Sequence, residues 1–423
     1  MTQLKVVFCH YDLLHDVGGV STWIQALVPD LRRQGLDIRV HILSGDNEPG
    51  PNILHFQRLG IPLSWAKSPP TLLQGVKQCV SWINQDRPDI YVPNSILPAA
   101  YAGAYASQFG LKTVGVLHSD DSFFSGIVEE FVAKENIGRL SEVVAVSDFL
   151  QRKVEALGIP NIPCHRIPCG VPIPDSSTKF ELNRFRIAYL GRFTEEAKQV
   201  SKVTRSLCEA LSRHPNLEAV MIGDGPARPS VEKIIAAHPD KARIQLTGLL
   251  SNQEVFSILK DIQALVLLSD YEGLPVSVLE AMATGVVPIC LNVRSGLKEL
   301  LISGENGLIV EDRGESFQRA VGSLINNPEL WNKCSHQARR TVAAQFSREI
   351  CHEKWYTVLS RLGQTSGKFI PYPIPVPKRT PTPNPLFRWH EPDALDLLLP
   401  ALTPVRDRVG RLCRRSVSWW RAV

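Results

Sequence analysis

The sequence is short of features that mark several large protein classes. No run of eighteen or more apolar residues occurs, so no membrane-spanning helix is predicted. The first residues contain no basic region followed by a long apolar stretch, so no secretory signal is predicted. The nine cysteines are odd in number and include no C-x-x-C pair, which favours a reducing compartment. We therefore expect a cytoplasmic protein.

Motifs for common ligands are missing as well. There is no G-x-G-x-x-G dinucleotide fingerprint and no G-K-S/T phosphate loop. Cys164 and Cys169 enclose His165, but we expect them in a Pro-rich turn rather than at a metal. The net charge of +5 is modest and argues against a dedicated nucleic-acid binder.

What remains is a globular composition, with 44% hydrophobic and 21% charged residues. At 423 residues the chain is too long for one ordinary core, so two domains are expected.

The most informative stretch of the sequence runs from Ala264 to Cys290. An apolar run of strand length is followed by a loop and then by helical spacing from Val276 to Ala283. Pro275 stands where a helix begins, a position that tolerates its missing N–H. Free N–H groups and the helix dipole make such a start an anion site, and Gly273 allows a ligand to approach the backbone closely.

Two glutamates flank this helix start. Glu272 comes just before it, and Glu280 lies roughly 7 Å along the axis from Pro275. Ionised carboxylates only accept hydrogen bonds, so both suit hydroxyl groups. A diphosphate with a sugar at each end, that is a nucleotide-sugar, fits this layout. The alternative is an ordinary strand–helix turn with two solvated glutamates.

The pattern of strands and helices predicts two doubly wound α/β domains. In the first, a strand at residues 4–9 leads through Gly18 and Gly19 into an amphipathic helix with apolar residues from Val20 to Leu31. Further strands are expected at 38–43, 90–92, 113–117 and 142–146. In the second, strands are expected at 185–190, 217–222, 243–246, 264–268 and 308–310.

The string EGLPVSVLEAMATGVVPI resembles the E-x7-E segment of the retaining, GT-B-fold glycosyltransferases of family 4. The resemblance covers roughly residues 4–362. It implies two Rossmann-like domains facing each other across a cleft, and a nucleotide-sugar donor. It also implies that Glu272 meets the donor sugar and Glu280 the nucleotide ribose.

Other matches follow the same order as in the family. Gly18 and Gly19 resemble its first Gly-rich loop, and the resemblance implies that they approach the donor diphosphate. Arg192 and Lys198 resemble its G-R…K element, whose two cations neutralise that diphosphate. Many relatives have Gly after this Lys, whereas here Gln199 follows.

Three further positions complete the predicted site. Gly223 lies in a G-x-G-P turn facing the cleft, and the backbone near Leu249 is expected to meet the nucleobase. His118 directly follows a strand, where ligands of open α/β sheets gather, and the family often has a His near the donor sugar. A buried His that is merely hydrogen-bonded is the alternative.

The resemblance therefore implies two sets of residues. The catalytic set comprises Glu272, His118, Arg192 and Lys198. The donor-binding set comprises Gly18, Gly19, Gly223, Leu249, Gly273, Leu274, Pro275, Val276, Ser277 and Glu280. Because no D-x-D sequence occurs, we expect no obligatory metal, and no cofactor besides the nucleotide-sugar substrate.

Five segments are predicted. Residues 1–172 form the acceptor-side domain, 173–184 a linker, 185–345 the nucleotide-sugar domain, 346–362 a helix that packs back on the first domain, and 363–423 a tail. The tail begins with alternating prolines typical of polyproline II. Residues 405–423 are basic and contain two tryptophans, so they could contact the inner face of a membrane; a solvated or docked tail is the alternative.

The predicted function is transfer of a hexose-type sugar from a nucleotide-sugar to an unknown hydroxyl acceptor, with retention of configuration. Two alternatives stay open at this point. One is a nucleotide-sugar epimerase on the same fold. The other is a non-catalytic nucleotide-sugar-binding or scaffold protein, because a Pro-rich segment can dock partner domains.

Overall fold

The computed structural model describes residues 3–14, 18–134, 138–293, 295–364, 370–379 and 385–387. These residues form two parallel sheets, each flanked by helices, so the prediction of two doubly wound α/β domains is confirmed. The predicted membrane-contacting segment, 405–423, lies outside the described residues.

The first sheet is fully parallel and has the strand order β3-β2-β1-β4-β5-β6-β7. Its strands are β1 Lys5–Asp12, β2 Asp37–Ser44, β3 Leu63–Lys67, β4 Ile90–Pro93, β5 Lys112–Leu117, β6 Glu142–Ala145 and β7 Cys164–Arg166. Its helices are α1 Gly19–Arg33, α2 Pro51–Arg58, α3 Leu72–Asp86, α4 Leu97–Ser107, α5 Ser122–Val128 and α6 Asp148–Glu155, and a π-helical turn Glu129–Ala133 extends α5.

The second sheet is also parallel, with the order β10-β9-β8-β11-β12-β13. Its strands are β8 Phe185–Leu190, β9 Leu217–Ile222, β10 Ile244–Gly248, β11 Ala264–Leu267, β12 Val287–Leu291 and β13 Leu308–Val310. The helices are α7 Val200–Arg213, α8 Arg228–Ala236, α9 Asn252–Leu259, α10 Val276–Ala283, α11 Leu297–Leu300, α12 Glu315–Asn326, α13 Pro328–Gln345 and α14 Arg348–Gln364.

The predicted Pro-rich turn around Cys164 is wrong at its first residues. Cys164 begins β7, which extends the first sheet by pairing with β6 in parallel. Three residues are too few to show a period in the sequence, so only the neighbouring strand defines this edge. Cys164 is half-buried and Cys169 is buried, and both are free thiols.

The chain crosses back to the first domain at α14. Trp355 packs its ring 6.1 Å from that of Phe8 in β1 and 5.7 Å from that of Trp23 in α1. His352 Nδ1 lies 2.6 Å from Asp30 Oδ2. Aromatic burial of this kind dominates core energetics, so α14 ties the two domains together.

Helix caps explain where several elements begin. Ser147 Oγ accepts from the N–H of Leu150 and caps α6. Ser251 and Glu254 form a reciprocal capping box at α9, which satisfies two N–H groups that the helix itself cannot. In the described part of the chain, no helix has both the length and the apolarity needed to cross a membrane.

Candidate functional site

The carboxyl ends of the two sheets meet at the start of α10. Gly19, at the beginning of α1, lies so close to Val276 that a methyl group there would sit 3.1 Å from the valine side chain. A methyl group on Gly273 would sit 2.0 Å from the carbonyl oxygen of His118. Only glycine permits the approach at position 273, where the two domains touch backbone to backbone, while Gly19 lets α1 pack closely on the side chain of Val276.

Helix α10 begins with its N–H groups available to a ligand. Pro275 is the residue before the helix and has an extended backbone, and no described side chain caps this end. The N–H groups of Val278 and Leu279 bond the carbonyl of Pro275, which leaves those of Val276 and Ser277 for an anion. Leu274, just before the proline, is buried and anchors the loop.

Glu272 and Lys198 form an ion pair at this helix start. Lys198 Nζ lies 2.6 Å from Glu272 Oε1, and the two side chains are 19% and 13% exposed. The N–H of Asp270 donates to the carbonyl of Ala197 at 2.7 Å and joins the two loops. The family resemblance assigns Lys198 to the diphosphate, and the structure places it beside Glu272, the residue predicted to meet the donor sugar.

Arg192 follows β8 and is exposed. Its carbonyl accepts from the hydroxyl of Tyr189 at 2.8 Å, which holds the backbone at the strand end. Among the described residues its guanidinium has no carboxylate partner within ion-pair distance. A planar cation of this kind can bind an anion with two hydrogen bonds.

Three glycines come together beside Arg192. The N–H of Gly223 donates to the carbonyl of Gly248 at 3.0 Å. Gly223 has a φ of 138°, and a methyl group there would lie 2.0 Å from the carbonyl oxygen of Gly191. Leu249 follows Gly248 and is 41% exposed, so it presents an apolar surface next to these three glycines.

Glu280 lies one turn into α10 and is buried. Asn252 Nδ2 donates to its Oε1 at 2.8 Å. Burial raises the pKa of the Glu280 carboxyl to about 7, against the lowering effects of the Asn252 hydrogen bond and the nearby Arg348 charge. A buried acid poised near neutrality is typical of functional sites. Asn252 was not singled out from the sequence, where it reads only as the first residue of a capped helix.

His118 belongs to a buried polar chain in the first domain. Its Nε2 donates to Asn94 Oδ1 at 2.8 Å, and Asn94 Nδ2 donates to His10 Nδ1 at 3.0 Å. Burial, together with the neighbouring His10, lowers the pKa of His118 to about 3, so the ring is neutral at pH 7. The sequence analysis missed His10 and Asn94; their position at the ends of β1 and β4 is the signal that could have found them.

Glu299 makes a second contact between the two domains. Glu299 Oε2, on α11, accepts from the N–H of Asp148 at 2.9 Å and from Arg166 Nε at 3.0 Å. The N–H of Gly296 donates to the carbonyl of Gly273 at 2.7 Å and fixes the loop before α10. This support comes from three separate elements, so the sequence could not have predicted it from local pattern.

Gly18 precedes α1 in an extended conformation, while the neighbouring residues 15–17 lie outside the described residues. Within the described ranges, no three His, Cys, Asp or Glu side chains are grouped as a metal would require. Independence from metals stays a prediction.

Two family models match adjacent parts of the chain. The model described as glycosyltransferase family 4 matches residues 17–173, and the model described as glycosyl transferases group 1 matches residues 174–341. The two matches meet where the chain passes from the first sheet to the second. The chain belongs to the group 1 glycosyltransferases.

Curated relatives of this group 1 glycosyltransferase match it in part. Alpha-D-kanosaminyltransferase of Streptomyces kanamyceticus is 30% identical over 178 residues, which are 42% of this chain and 46% of that protein. The lipopolysaccharide core biosynthesis glycosyltransferase LpsE of Rhizobium meliloti is 27% identical over 172 residues, or 40% and 48% of the two chains. The chain therefore spans about half the length of these relatives.

Among solved structures, HepE of Anabaena in complex with UDP and glucose has a TM-score of 0.68 at 17% identity. The match covers 85% of this chain and all of that one. At this identity the similarity shows the fold alone, and it confirms the predicted GT-B architecture.

Proposed function

We propose that this group 1 glycosyltransferase transfers a hexose-type sugar from a nucleotide-sugar donor to a hydroxyl acceptor, with retention of anomeric configuration. The convergence of Arg192, Glu272 and the uncapped start of α10, opposite His118, is the observation that carries the proposal. The donor lies mainly on the second domain, and the acceptor approaches from the first.

Charge on the departing diphosphate is the main cost of this reaction. Arg192, Lys198 and the first N–H groups of α10 stabilise that charge, because they are preorganised where it develops. Lys198 keeps Glu272 in place, and Glu272 accepts hydrogen bonds from the donor sugar.

The acceptor hydroxyl loses its proton during the transfer, so some group must accept that proton. His118 is a poor base, since burial holds its pKa at about 3. We therefore assign the proton to an oxygen of the leaving phosphate, on the same face of the sugar as the attacking hydroxyl. The role of His118 is to hydrogen-bond a sugar hydroxyl while Asn94 fixes its orientation. Contact between the domains at Gly273 excludes water and limits donor hydrolysis.

Nucleotide binding tests the proposal most directly. We expect one of UDP, GDP and ADP, or one of their sugar conjugates, to bind at micromolar strength in calorimetry, starting with UDP because the HepE structure contains it. Glu280→Ala should weaken that binding about 10–100-fold, because the carboxylate no longer accepts from ribose hydroxyls.

Glu305→Ala is the matched control. This exposed carboxylate lies just before β13, at the amino ends of the strands and away from the site. The Glu305→Ala variant should bind the nucleotide with the same affinity as the wild type. Failure of every nucleotide to bind the folded wild type would contradict the proposal, and conversion of the donor without an acceptor would indicate an epimerase.

Donor affinity should also depend on pH. The carboxyl of Glu280 has a pKa of about 7, so it is mostly protonated at pH 6 and mostly ionised at pH 8. Only the ionised form accepts from both ribose hydroxyls, so affinity for the nucleotide-sugar should rise up to about tenfold between these pH values. Calorimetry from pH 6 to 8 measures this; Glu280→Gln should give a flat profile, and a flat wild-type profile would contradict the assigned role.

A further inference from the structure

A pocket of about 280 Å³ opens in the first domain beside the candidate site. It lies where β1, β2 and β4 end and α4 begins, the edge at which ligands of open α/β sheets gather. Its walls are mostly apolar and include Tyr11, Leu43, Leu97, Pro98 and Phe123. The volume is close to the lower limit for small-molecule sites, roughly 300 Å³.

One wall comes from the Pro-rich tail. Phe387 lines the pocket and is only 6% exposed. Its ring centre lies 5.8 Å from that of Phe123 and 6.1 Å from that of Phe131. It packs on Gly126, where an added methyl group would come within 2.7 Å of the ring. The absence of a side chain at position 126 thus makes room for the tail.

A second piece of the tail is anchored on the same domain. Ile374 is buried, its N–H donates to Asn84 Oδ1 at 2.6 Å, and its carbonyl accepts from Asn84 Nδ2 at 2.8 Å. Tyr372 donates its hydroxyl to the carbonyl of Pro88 at 2.8 Å. The two hydrogen bonds with Asn84 hold residues 370–379 on α3. The described parts of the tail therefore pack on the acceptor-side domain.

The pocket adjoins residues that are next in the chain to those around His118. Ser95 lines it and directly follows Asn94, whose amide binds His118. Phe124, next to the lining residue Phe123, places its ring 6.0 Å from that of His118. A group attached to a hydroxyl near His118 would therefore be close to this pocket.

We propose that this pocket binds the apolar group of an amphiphilic acceptor, one that carries an alkyl or aryl group close to the hydroxyl that receives the sugar. Phe387 then selects the acceptor by forming one wall. The described residues of the lining provide few hydrogen-bond partners, so a purely polar glycan would leave buried hydroxyls unpaired, whereas an apolar group loses only its contact with water. The inference rests on the proposed function for the identity of the ligand as an acceptor.

The test compares two glucosides with the same head group. The full chain is titrated by calorimetry with octyl β-D-glucoside, below its micelle concentration, and with methyl β-D-glucoside. The octyl compound should bind at least about tenfold more tightly, because its chain is buried in the pocket. Phe387→Ala, which opens one wall, and Ser68→Trp, which fills the mouth from an exposed position, should each remove most of this preference.

Controls separate this inference from the proposed function. Phe387→Leu keeps an apolar wall and should retain the preference, and Leu182→Ala removes a side chain that is 82% exposed and should behave as the wild type. Where Phe387→Ala does not fold, Ser68→Trp decides. Equal affinity for the two glucosides, or an octyl preference unchanged by either variant, overturns the inference. Nucleotide binding in the same samples is independent: its loss alone overturns only the proposed function.

Discussion

Arg192→Ala should lower kcat for sugar transfer about 10²–10³-fold, the range found when one preorganised donor to a developing negative charge is removed. Arg192 is exposed at the end of β8, and its guanidinium lies free of any described carboxylate. Its charge is therefore available to the diphosphate that we propose as the leaving group. The measurement is steady-state transfer with the donor that the nucleotide panel identifies.

Two further variants sharpen the result. Arg192→Lys restores the charge without the planar fork, so it should recover only part of the rate. Arg205→Ala removes an exposed arginine from the middle of α7 and should leave kcat unchanged. A loss smaller than about threefold in Arg192→Ala would show that Lys198 and α10 carry the charge without it.

Gly273→Ala should reduce kcat about 100-fold while nucleotide affinity changes little. The new methyl group would lie 2.0 Å from the carbonyl oxygen of His118, so the loop before α10 and the first domain must move apart. A displacement of about 1 Å at a reacting centre costs on the order of 10²-fold in rate. Glu280 and Gly248 lie on the second domain alone, so the contacts proposed for the nucleotide's base and ribose should be kept.

The control is another glycine in the same domain. Gly322 lies inside α12, and a methyl group there would be 3.4 Å from its nearest neighbour, an ordinary contact. Gly322→Ala should keep full activity and, as a helix position, gain slightly in stability. Equal kcat values for the two alanine variants would contradict the backbone contact between Gly273 and His118.

Much of the fold follows from local pattern. The predicted strand at 185–190 coincides with β8, and the predicted helix at 276–283 coincides with α10. These elements are buried runs or have one apolar face, and such periods are visible within a few residues. Other elements were missed: α2, β3 and β12 were not predicted, and β7 was placed in a turn.

The candidate site likewise contains residues that the sequence locates and contacts that only the structure shows. Glu272, Glu280 and Pro275 stand eight residues or fewer apart along one loop and helix, so the sequence itself locates them. Lys198 pairs with Glu272 across 74 residues, and Asn252 reaches Glu280 across 28. The chain of His10, Asn94 and His118 joins three strands, and burial, with the neighbouring His10, lowers the pKa of His118.

The sequence by itself determined the two α/β domains, the start of α10 and the glutamates that flank it, because short-range spacing and one family motif contain that information. Only the tertiary structure decided that Lys198 faces Glu272, that His118 is buried among polar partners, and that Phe387 forms a wall of an apolar pocket. The physical reason is separation along the chain. Asn84 and Ile374 lie 290 residues apart, and no local pattern specifies a contact that the packing of a whole domain must bring together.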